Sequence, residues 1–210
     1  MTTTTRDKLA ELLLEIGAVS LSPDHPYTWS SGIQSPIYCD NRLLMAYPNE
    51  RKQVIQAFCK AIEDMELTID VIAGTSTAGI PHAAWISETL NLPMAYIRGS
   101  AKGHGKQNRI EGRINKGDRV LIIEDLISTG GSSIEAAESV REAGGIVTDI
   151  LAIFSYNLQR SNELAKEKSI GIHTLTDFDA LIESASAKGD LTSDQLKSLR
   201  EWKRNPAGWK

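Results

Sequence analysis

The hydrophobic positions of this chain fall first into helical repeats and then into short apolar runs. Apolar residues at helical spacing predict a first helix that ends at Gly17, and residues from about Thr28 to Asp40 are predicted to be extended. Pro48 suits the first turn of a second helix. The pattern then predicts strands at 71–73, 94–97, 120–123 and 146–154, and helices at 78–90, 132–143 and from a capping Ser193 onward. Such alternation is typical of an α/β fold with a mostly parallel sheet and helices on both faces.

Length and composition narrow the class of protein. A chain of 210 residues with 41% hydrophobic content suits one globular domain with a small accessory lobe. A formal net charge of -4 argues against general binding to nucleic acid or to a membrane surface, so neither partner is expected. Cys39 and Cys59 form no C-x-x-C motif in a chain large enough to need no disulfide, which favours a cytoplasmic protein. The sequence has no apolar run of the ~20 residues that span a bilayer.

The segment from Val120 to Ser133 carries the most chemical information. Four aliphatic residues predict a strand buried on both faces, and Glu124 and Asp125 mark its carboxyl end. Ligands of open α/β sheets bind beyond such ends, where small residues and the next helix expose backbone N–H groups. Residues 128–132 are therefore predicted to wrap a phosphate, while the two carboxylates accept hydrogen bonds from vicinal sugar hydroxyls. A phosphorylated ribose fits both features, and the alternative is an ordinary turn in which Asp125 or Ser128 caps the next helix.

Residues 98–116, named the lid segment below, concentrate positive charge in an acidic protein. The segment contains one acid, Glu111, four glycines and six basic residues: Arg98, Lys102, Lys106, Arg109, Arg113 and Lys116. One interpretation is a solvated hairpin with a basic face. The other is a mobile lid that closes over an anionic substrate, excludes water and strengthens each electrostatic contact. His104, which lies between two glycines, is predicted to be a diphosphate donor or simply exposed.

A second turn of small residues follows the strand at 71–73. Residues 74–79 read Gly-Thr-Ser-Thr-Ala-Gly and suit a diphosphate held by backbone N–H groups and threonine side chains. Ile80 and Pro81 stand where a nucleoside triphosphate loop needs Lys and Ser/Thr. No Gly-x-Gly-x-x-Gly motif opens a helix, which disfavours nicotinamide dinucleotides. The tryptophans are expected to pack in the core rather than to recognise a ligand.

The Val120–Ser133 pattern resembles the phosphoribosyl diphosphate signature of the type I phosphoribosyltransferases. The flanking segments make the chain similar to one family among them, the orotate phosphoribosyltransferases. These segments are 27–32 (Tyr-Thr-Trp-Ser-Ser-Gly), 35–42 (Ser-Pro-Ile-Tyr-Cys-Asp-Asn-Arg), 96–98, 102–105 (Lys-Gly-His-Gly), 110–112 and the last helix. The resemblance implies the type I fold in a single domain over 1–210. Residues 1–45 would form a hood on the base side, named the hood segment below, and 98–116 a flexible loop over the active site.

The resemblance also implies an activity and its residues. The chain would transfer the 5-phosphoribosyl group from phosphoribosyl diphosphate to orotate, giving orotidine 5′-phosphate and diphosphate in UMP synthesis. The implied catalytic residues are Lys102, His104 and Asp125. Phosphoribosyl diphosphate would be held by these three and by Arg98, Thr75, Ser76, Thr77, Glu124, Leu126, Ile127, Ser128, Thr129, Gly130, Gly131 and Ser132. Orotate would contact Ser128, Tyr38 and Tyr156.

The same resemblance implies a metal cofactor and a dimer. Mg²⁺ would arrive on diphosphate and ribose oxygens, so no dedicated protein cage is expected. The lid of one subunit would reach the site of its partner in a homodimer. The alternatives are a phosphoribosyltransferase for another base and, third, a non-catalytic regulator that senses phosphoribosyl diphosphate.

Three short stretches depart from the family pattern. Gly99 and Ser100 occupy the region where many members carry a second lysine, and Lys106 is the candidate to replace it. Gln34 replaces a frequent basic residue. Ser155 and Tyr156 stand where some members place an Asp-Arg pair that touches the orotate carboxylate, so the partner of that carboxylate is left open.

Overall fold

The computed structural model describes residues 4–29, 32–99 and 109–209. The helices in these ranges are α1 Thr5–Glu15, α2 Pro48–Asp64, α3 Gly79–Leu90, α4 Gly131–Glu142, α5 Gln159–Lys168, α6 Phe178–Lys188 and α7 Ser193–Arg204, with a short 3-10 helix at Asn41–Ala46. The strands are β1 Val19–Leu21, β2 Tyr27–Thr28, β3 Gln34–Ser35, β4 Ile37–Cys39, β5 Val71–Thr75, β6 Met94–Ile97, β7 Ile110–Gly112, β8 Val120–Ile127, β9 Asp149–Ser155 and β10 Gly171–Asp177. Within the described ranges, none of the helices has the length and apolar character needed to cross a membrane.

Six strands form the central sheet in the order β10-β9-β8-β5-β6-β7. Neighbours pair in parallel from β10 to β6, and β7 alone runs antiparallel to β6 at the edge. This arrangement confirms the predicted α/β fold with a mostly parallel sheet. The hood segment adds two small antiparallel pairs, β1 with β4 and β2 with β3.

The sheet buries apolar side chains on both faces, as the unbroken aliphatic run of β8 predicts. Because successive strand residues point to opposite faces, Leu121 and Ile123 pack in the core that α2 and α3 cover. Val120 and Ile122 pack in the second core, against α4. Two cores of this kind hold β8 in the middle of the molecule and fix the position of its carboxyl end.

Several predicted boundaries are wrong, and five elements have no counterpart in the prediction. The strand β8 continues past residue 123 because residues up to Ile127 still pair with β9. Ile146 makes only an isolated bridge to Arg119, so β9 begins three residues later. Thr192, not Ser193, caps α7, and its side chain accepts a hydrogen bond from the Gln195 backbone N–H. The unpredicted elements are β1, the 3-10 helix Asn41–Ala46, α5, β10 and α6.

His82 of α3 lies in the core beside α2 in a largely apolar environment. Its ring packs near Phe58 and edge-on to Trp85, with centroid separations of 6.4 and 5.5 Å. Its Nδ1 atom makes no hydrogen bond within the described part of the chain. Burial, helped by the positive charge of Arg51, lowers the pKa of His82 from 6.5 to about 4. The folded protein therefore keeps this imidazole neutral near pH 7.

Stability is expected to decrease as the pH falls from 7 to 5. The unfolded chain binds a proton at His82 near pH 6.5, whereas the folded chain does not bind it until about pH 4. This group alone should lower the free energy of unfolding by about 2 kcal/mol over that interval. Urea unfolding at both pH values measures the change, and His82→Leu should remove this part of it. The exposed His25, changed to alanine, is the control; an unaltered pH dependence in His82→Leu would contradict the prediction.

Candidate active site

The acidic pair lies where β8 keeps only one neighbouring strand. β5 pairs with β8 as far as Ile123, whereas β9 continues to Ile127. The edge of β8 after Ile123 therefore faces the turn that follows β5. Glu124 is buried and Asp125 is partly buried, and the side-chain amide of Asn41 donates a hydrogen bond of 2.7 Å to the backbone oxygen of Asp125. The hood segment is thus tied directly to the acidic end of the strand.

Burial raises the pKa of both carboxyl groups. For Glu124, burial is the larger cause and the negative charge of Asp125 the second, and together they raise its pKa to about 8. The pKa of Asp125 is also raised by burial, although a hydrogen bond from Glu124 offsets part of that effect. Two adjacent carboxylates in a poorly solvated place favour hydroxyl donors or positive charge beside them. A sugar with two hydroxyl groups, or a group that develops positive charge, meets that requirement.

The turn after β8 presents an open helix N-terminus. No side chain caps α4, whose N-cap residue is Gly130 with a φ of +81°. A Cβ atom at Gly130 would also lie 3.3 Å from the Cβ atom of Ser161 in α5, so glycine suits both the conformation and the contact. The first N–H groups of α4 have no partner inside the helix, and those of Gly131 and Ser132 belong to the predicted phosphate turn 128–132. This geometry fits a phosphate group, as the sequence predicts for these five residues.

The three residues predicted to bind diphosphate at the end of β5, Thr75, Ser76 and Thr77, differ in their exposure to solvent. Thr75 is buried, and its hydroxyl donates to the backbone oxygen of Ile123 at 3.3 Å, so this side chain joins β5 to β8. Ser76 and Thr77 are exposed, and the hydroxyl oxygen of Ser76 accepts a hydrogen bond from the Gly99 N–H at 2.8 Å. The described geometry leaves Ser76 and Thr77, rather than Thr75, facing solvent at the carboxyl edge of the sheet.

Arg98 lies at the start of the lid segment, and one N–H group of its guanidinium makes no hydrogen bond with the described residues. Its Nη1 atom is buried without a hydrogen bond among the described residues and lies 3.6 Å from a carboxylate oxygen of Glu111. The N–H of Arg98 donates to the backbone oxygen of Arg109, which closes the β6–β7 pair as a hairpin. The hairpin that was one interpretation of the lid segment is therefore present, and it does not conflict with a role as a lid. Lys102, His104 and Lys106 lie outside the described residues.

A cavity of about 530 Å³ lies between the hood segment and the end of β8. It brings together the three residues predicted for orotate, Tyr38, Ser128 and Tyr156. The remaining lining residues are Thr28, Trp29, Ile33, Cys39, Leu126 and Thr129. Trp29 stacks on Tyr156 with ring centroids 5.4 Å apart, so two aromatic rings form one wall. A flat, partly apolar molecule fits this space, which we name the base cavity.

Sequence reasoning missed Trp29 as a lining residue. Its neighbours Thr28 and Gln34 belong to the short β2–β3 pair, and Gln34 donates to the Thr28 hydroxyl oxygen at 2.9 Å. Gln34 is exposed, whereas Trp29 stacks on Tyr156. The available signal was that Trp29 is an aromatic residue in the hood segment. Such a position does not show whether the side chain packs in the core or contacts a ligand.

Comparison with known proteins places this site in a class. The phosphoribosyl transferase domain family matches residues 44–179, a span that contains both turns, the lid segment and the acidic pair. The chain is therefore a phosphoribosyltransferase. Orotate phosphoribosyltransferase of Listeria monocytogenes serotype 4b is 51% identical over 202 residues, which cover 96% of this chain and 97% of that protein. The chain belongs to the orotate phosphoribosyltransferase family.

Solved structures agree with this placement. Orotate phosphoribosyltransferase from Aeropyrum pernix matches with a TM-score of 0.76 at 26% identity, covering 85% of this chain and 98% of that one. UMP synthase of Leishmania donovani matches with a TM-score of 0.79 at 29% identity, covering 95% of this chain and 42% of that longer chain. The described fold is thus the type I phosphoribosyltransferase fold that the sequence predicts.

Proposed function

We propose that this protein transfers the 5-phosphoribosyl group of phosphoribosyl diphosphate to orotate, forming orotidine 5′-phosphate and diphosphate for pyrimidine synthesis. One observation carries the proposal: a buried acidic pair at the end of β8 is followed directly in the chain by Leu126, Ser128 and Thr129, which line an aromatic-walled cavity, and then by the open N-terminus of α4. These three features match the ribose, the 5′-phosphate and the base of the two substrates. Membership in the orotate phosphoribosyltransferase family supports the choice of base.

The reaction follows from where charge develops. As N1 of orotate bonds to C1 of the ribose, the bond from C1 to diphosphate breaks, so the sugar gains positive charge and the leaving group gains negative charge. Glu124 and Asp125 would stabilise the sugar, and residues 128–132 would hold its 5′-phosphate. Ser76, Thr77 and Arg98 would take the diphosphate, together with Lys102 and His104 of the lid segment. Lys102 would contribute most in the transition state, as preorganised charges do.

Magnesium is the proposed cofactor. The carboxylates of Glu124 and Asp125 are hard oxygen donors of the kind that Mg²⁺ accepts, so the described residues fit a metal that also binds substrate oxygens. Within the described ranges, no group of three or more His, Cys, Asp or Glu residues could hold a metal ion by itself. When bound with the substrate, Mg²⁺ would neutralise charge on the diphosphate.

An assay with purified protein tests the function and its alternatives together. Orotate absorbance is followed with Mg²⁺ and phosphoribosyl diphosphate, and the reaction is repeated with uracil, adenine and hypoxanthine. We expect orotate to be consumed and the other bases to react far more slowly. Consumption of another base alone would replace orotate in the proposal, and no turnover of any base would favour a regulator. Omission of Mg²⁺ should abolish turnover if the proposed cofactor is correct.

The proposed homodimer shares its lids between subunits. Exposed apolar side chains at Leu43, Met45 and Tyr47 offer surface that association would cover. Mixing inactive Lys102→Ala subunits with inactive Asp125→Asn subunits should restore activity, because each hybrid dimer regains one complete site. Random exchange at equal amounts predicts about a quarter of wild-type activity. Lids that serve their own subunit predict no recovery, which is the outcome that contradicts the proposal.

The proposed compartment is the cytoplasm. Cys39 and Cys59 are both free thiols, and burial raises the pKa of each. Protonated, unpaired thiols suit a reducing environment. Fractionation of the source cells with an antibody to the protein tests this directly.

A further inference from the structure

The base cavity presents a charge problem for orotate. Orotate carries a carboxylate, yet none of the described residues that line the cavity is cationic. Tyr156 occupies the position where some family members carry an arginine, and burial raises the pKa of its phenol, which stays neutral. A neutral phenol donates one hydrogen bond but does not offset a negative charge. Among the residues that the structure describes, a countercharge can therefore come only from beyond the immediate lining.

A second cavity, of about 340 Å³, adjoins the base cavity and is cationic. The two cavities share Trp29, Ile33 and Thr129 in their linings. The second one adds three basic side chains, Arg160 from the start of α5 and Lys203 and Arg204 from the end of α7. Glu163 is its acid, and the carboxylate of Glu163 accepts a hydrogen bond from Gln159 at 2.7 Å. We name this second cavity the cationic rim.

The three cations of the rim are not equivalent. Lys203 is engaged by Asp179, with 2.5 Å between the ammonium nitrogen and a carboxylate oxygen. Arg160 and Arg204 are exposed, and neither makes an ion pair or a side-chain hydrogen bond with the described residues. Arg160 also lies in the first turn of α5, whose N-terminus has no side-chain cap. The helix dipole there adds positive potential to that of the guanidinium groups.

We propose that Arg160 and Arg204 hold the carboxylate of orotate at the border where the base cavity meets the cationic rim. Both arginines line the cationic rim together with Trp29 and Thr129, which also line the base cavity. A guanidinium group binds a carboxylate through two parallel hydrogen bonds, and it keeps its charge at every pH at which the enzyme works. These two residues thereby set the preference for orotate over a base without a carboxylate. The inference rests on the proposed function.

Kinetics of exposed-site variants test this role. Arg160→Gln and Arg204→Gln are each expected to raise the KM for orotate about tenfold, as the loss of one charged hydrogen bond predicts, with kcat changed by less than about threefold. The KM for phosphoribosyl diphosphate should stay the same. The preference for orotate over uracil, which lacks the carboxylate, should shrink by the same factor. Arg160→Lys should recover part of the loss, because it restores charge without the paired geometry.

Arg200→Gln is the matched control. Arg200 lies one turn earlier on α7 and lines a neighbouring cavity of about 790 Å³, which shares Lys203 and Arg204 with the cationic rim, but Arg200 itself does not line the rim. Its kinetics should equal those of the wild type. Calorimetric titration of each variant with orotidine 5′-phosphate gives a binding readout that does not depend on turnover.

The possible outcomes distinguish a failure of the carboxylate site from a failure of the proposed function. If wild-type protein consumes orotate and the double variant Arg160→Gln/Arg204→Gln keeps the wild-type KM for orotate, the cationic rim is not the carboxylate site. A rise in the KM for phosphoribosyl diphosphate alone would assign Arg160 to the neighbouring phosphate turn and also overturn the inference. If the wild type does not consume orotate at all, the proposed function fails and the inference fails with it.

Discussion

Replacing Asp125 with asparagine is expected to lower kcat/KM on the order of a hundredfold or more while it stabilises the unliganded protein. Activity falls because the amide keeps a hydrogen-bond acceptor for the ribose but loses the negative charge that offsets the developing positive sugar. Stability rises because the variant no longer buries a carboxyl group beside that of Glu124. The two effects have opposite signs because the charge that is costly in the empty site is useful in the transition state.

The pH dependence gives the size and direction of the stabilising effect. The folded-state pKa of Glu124 is raised to about 8, so the folded chain retains a proton that the unfolded chain releases near its ordinary pKa of 4.5. The contribution of Glu124 to the free energy of unfolding is therefore largest below pH 4.5, and it is lost as the pH rises to about 8. Glu124→Gln should remove that loss, whereas Asp125→Asn should remove only the part that the negative charge of Asp125 causes. At pH 8 we expect a gain on the order of 2 kcal/mol in the free energy of unfolding.

Urea unfolding of the unliganded proteins at pH 5 and pH 8 measures this gain. Asp70→Asn is the control: Asp70 pairs with Arg119 at the surface, which lowers the pKa of Asp70 to about 2. Its loss should not stabilise the protein at any pH. Near-wild-type turnover in Asp125→Asn would remove this carboxylate from the mechanism. A variant that is destabilised at pH 8 would show instead that the acidic pair is well compensated in the empty site.

The local sequence predicts that the acidic pair lies at the end of a buried strand. It does not predict where the strand pairing ends or which side chains contact the pair. Four consecutive aliphatic residues before Glu124 indicate a buried strand, and the small residues after it indicate an open turn. The end of β8 depends instead on a partner far along the chain, because Leu126 pairs with Phe154 and Ile127 with Ser155. Thr75 shows the same limit, since only the neighbouring strand decides that its hydroxyl points to Ile123.

The base cavity is harder to predict because distant segments build it. Trp29 forms the cavity wall together with Tyr156, which comes from the loop after β9, more than 120 residues further along the chain. The cationic rim likewise joins α5 to the end of α7, and α5 carries little apolar periodicity. Its sequence, QRSNELAKEK, buries only Ser161 and Ala165. A helix that is polar on nearly every side gives no periodic hydrophobic signal. The sequence pattern therefore predicts neither α5 nor the position of its first residues beside the base cavity.

Replacing Trp202 with alanine is expected to remove about 4 kcal/mol from the free energy of unfolding. Trp202 of α7 is fully buried, and its ring meets those of Trp29, Tyr156 and Phe178 with centroid distances of 5.8, 5.6 and 5.4 Å. Its indole N–H also donates to the backbone oxygen of Gln34 at 3.1 Å. Truncation would leave a cavity among these rings and deprive that carbonyl group of its partner.

The same change should weaken orotate binding, because Trp202 supports Trp29 and Tyr156, the aromatic wall of the base cavity. Urea unfolding gives the stability, and steady-state kinetics below the unfolding transition should show a higher KM for orotate than for the wild type. Trp202→Phe keeps a ring but not the N–H and should lie between wild type and alanine. Trp209→Ala, which removes a partly exposed indole bonded to the Ser198 hydroxyl at 3.1 Å, should cost much less. A stable Trp202→Ala variant with an unchanged orotate KM would mean that α7 does not hold the base cavity in shape.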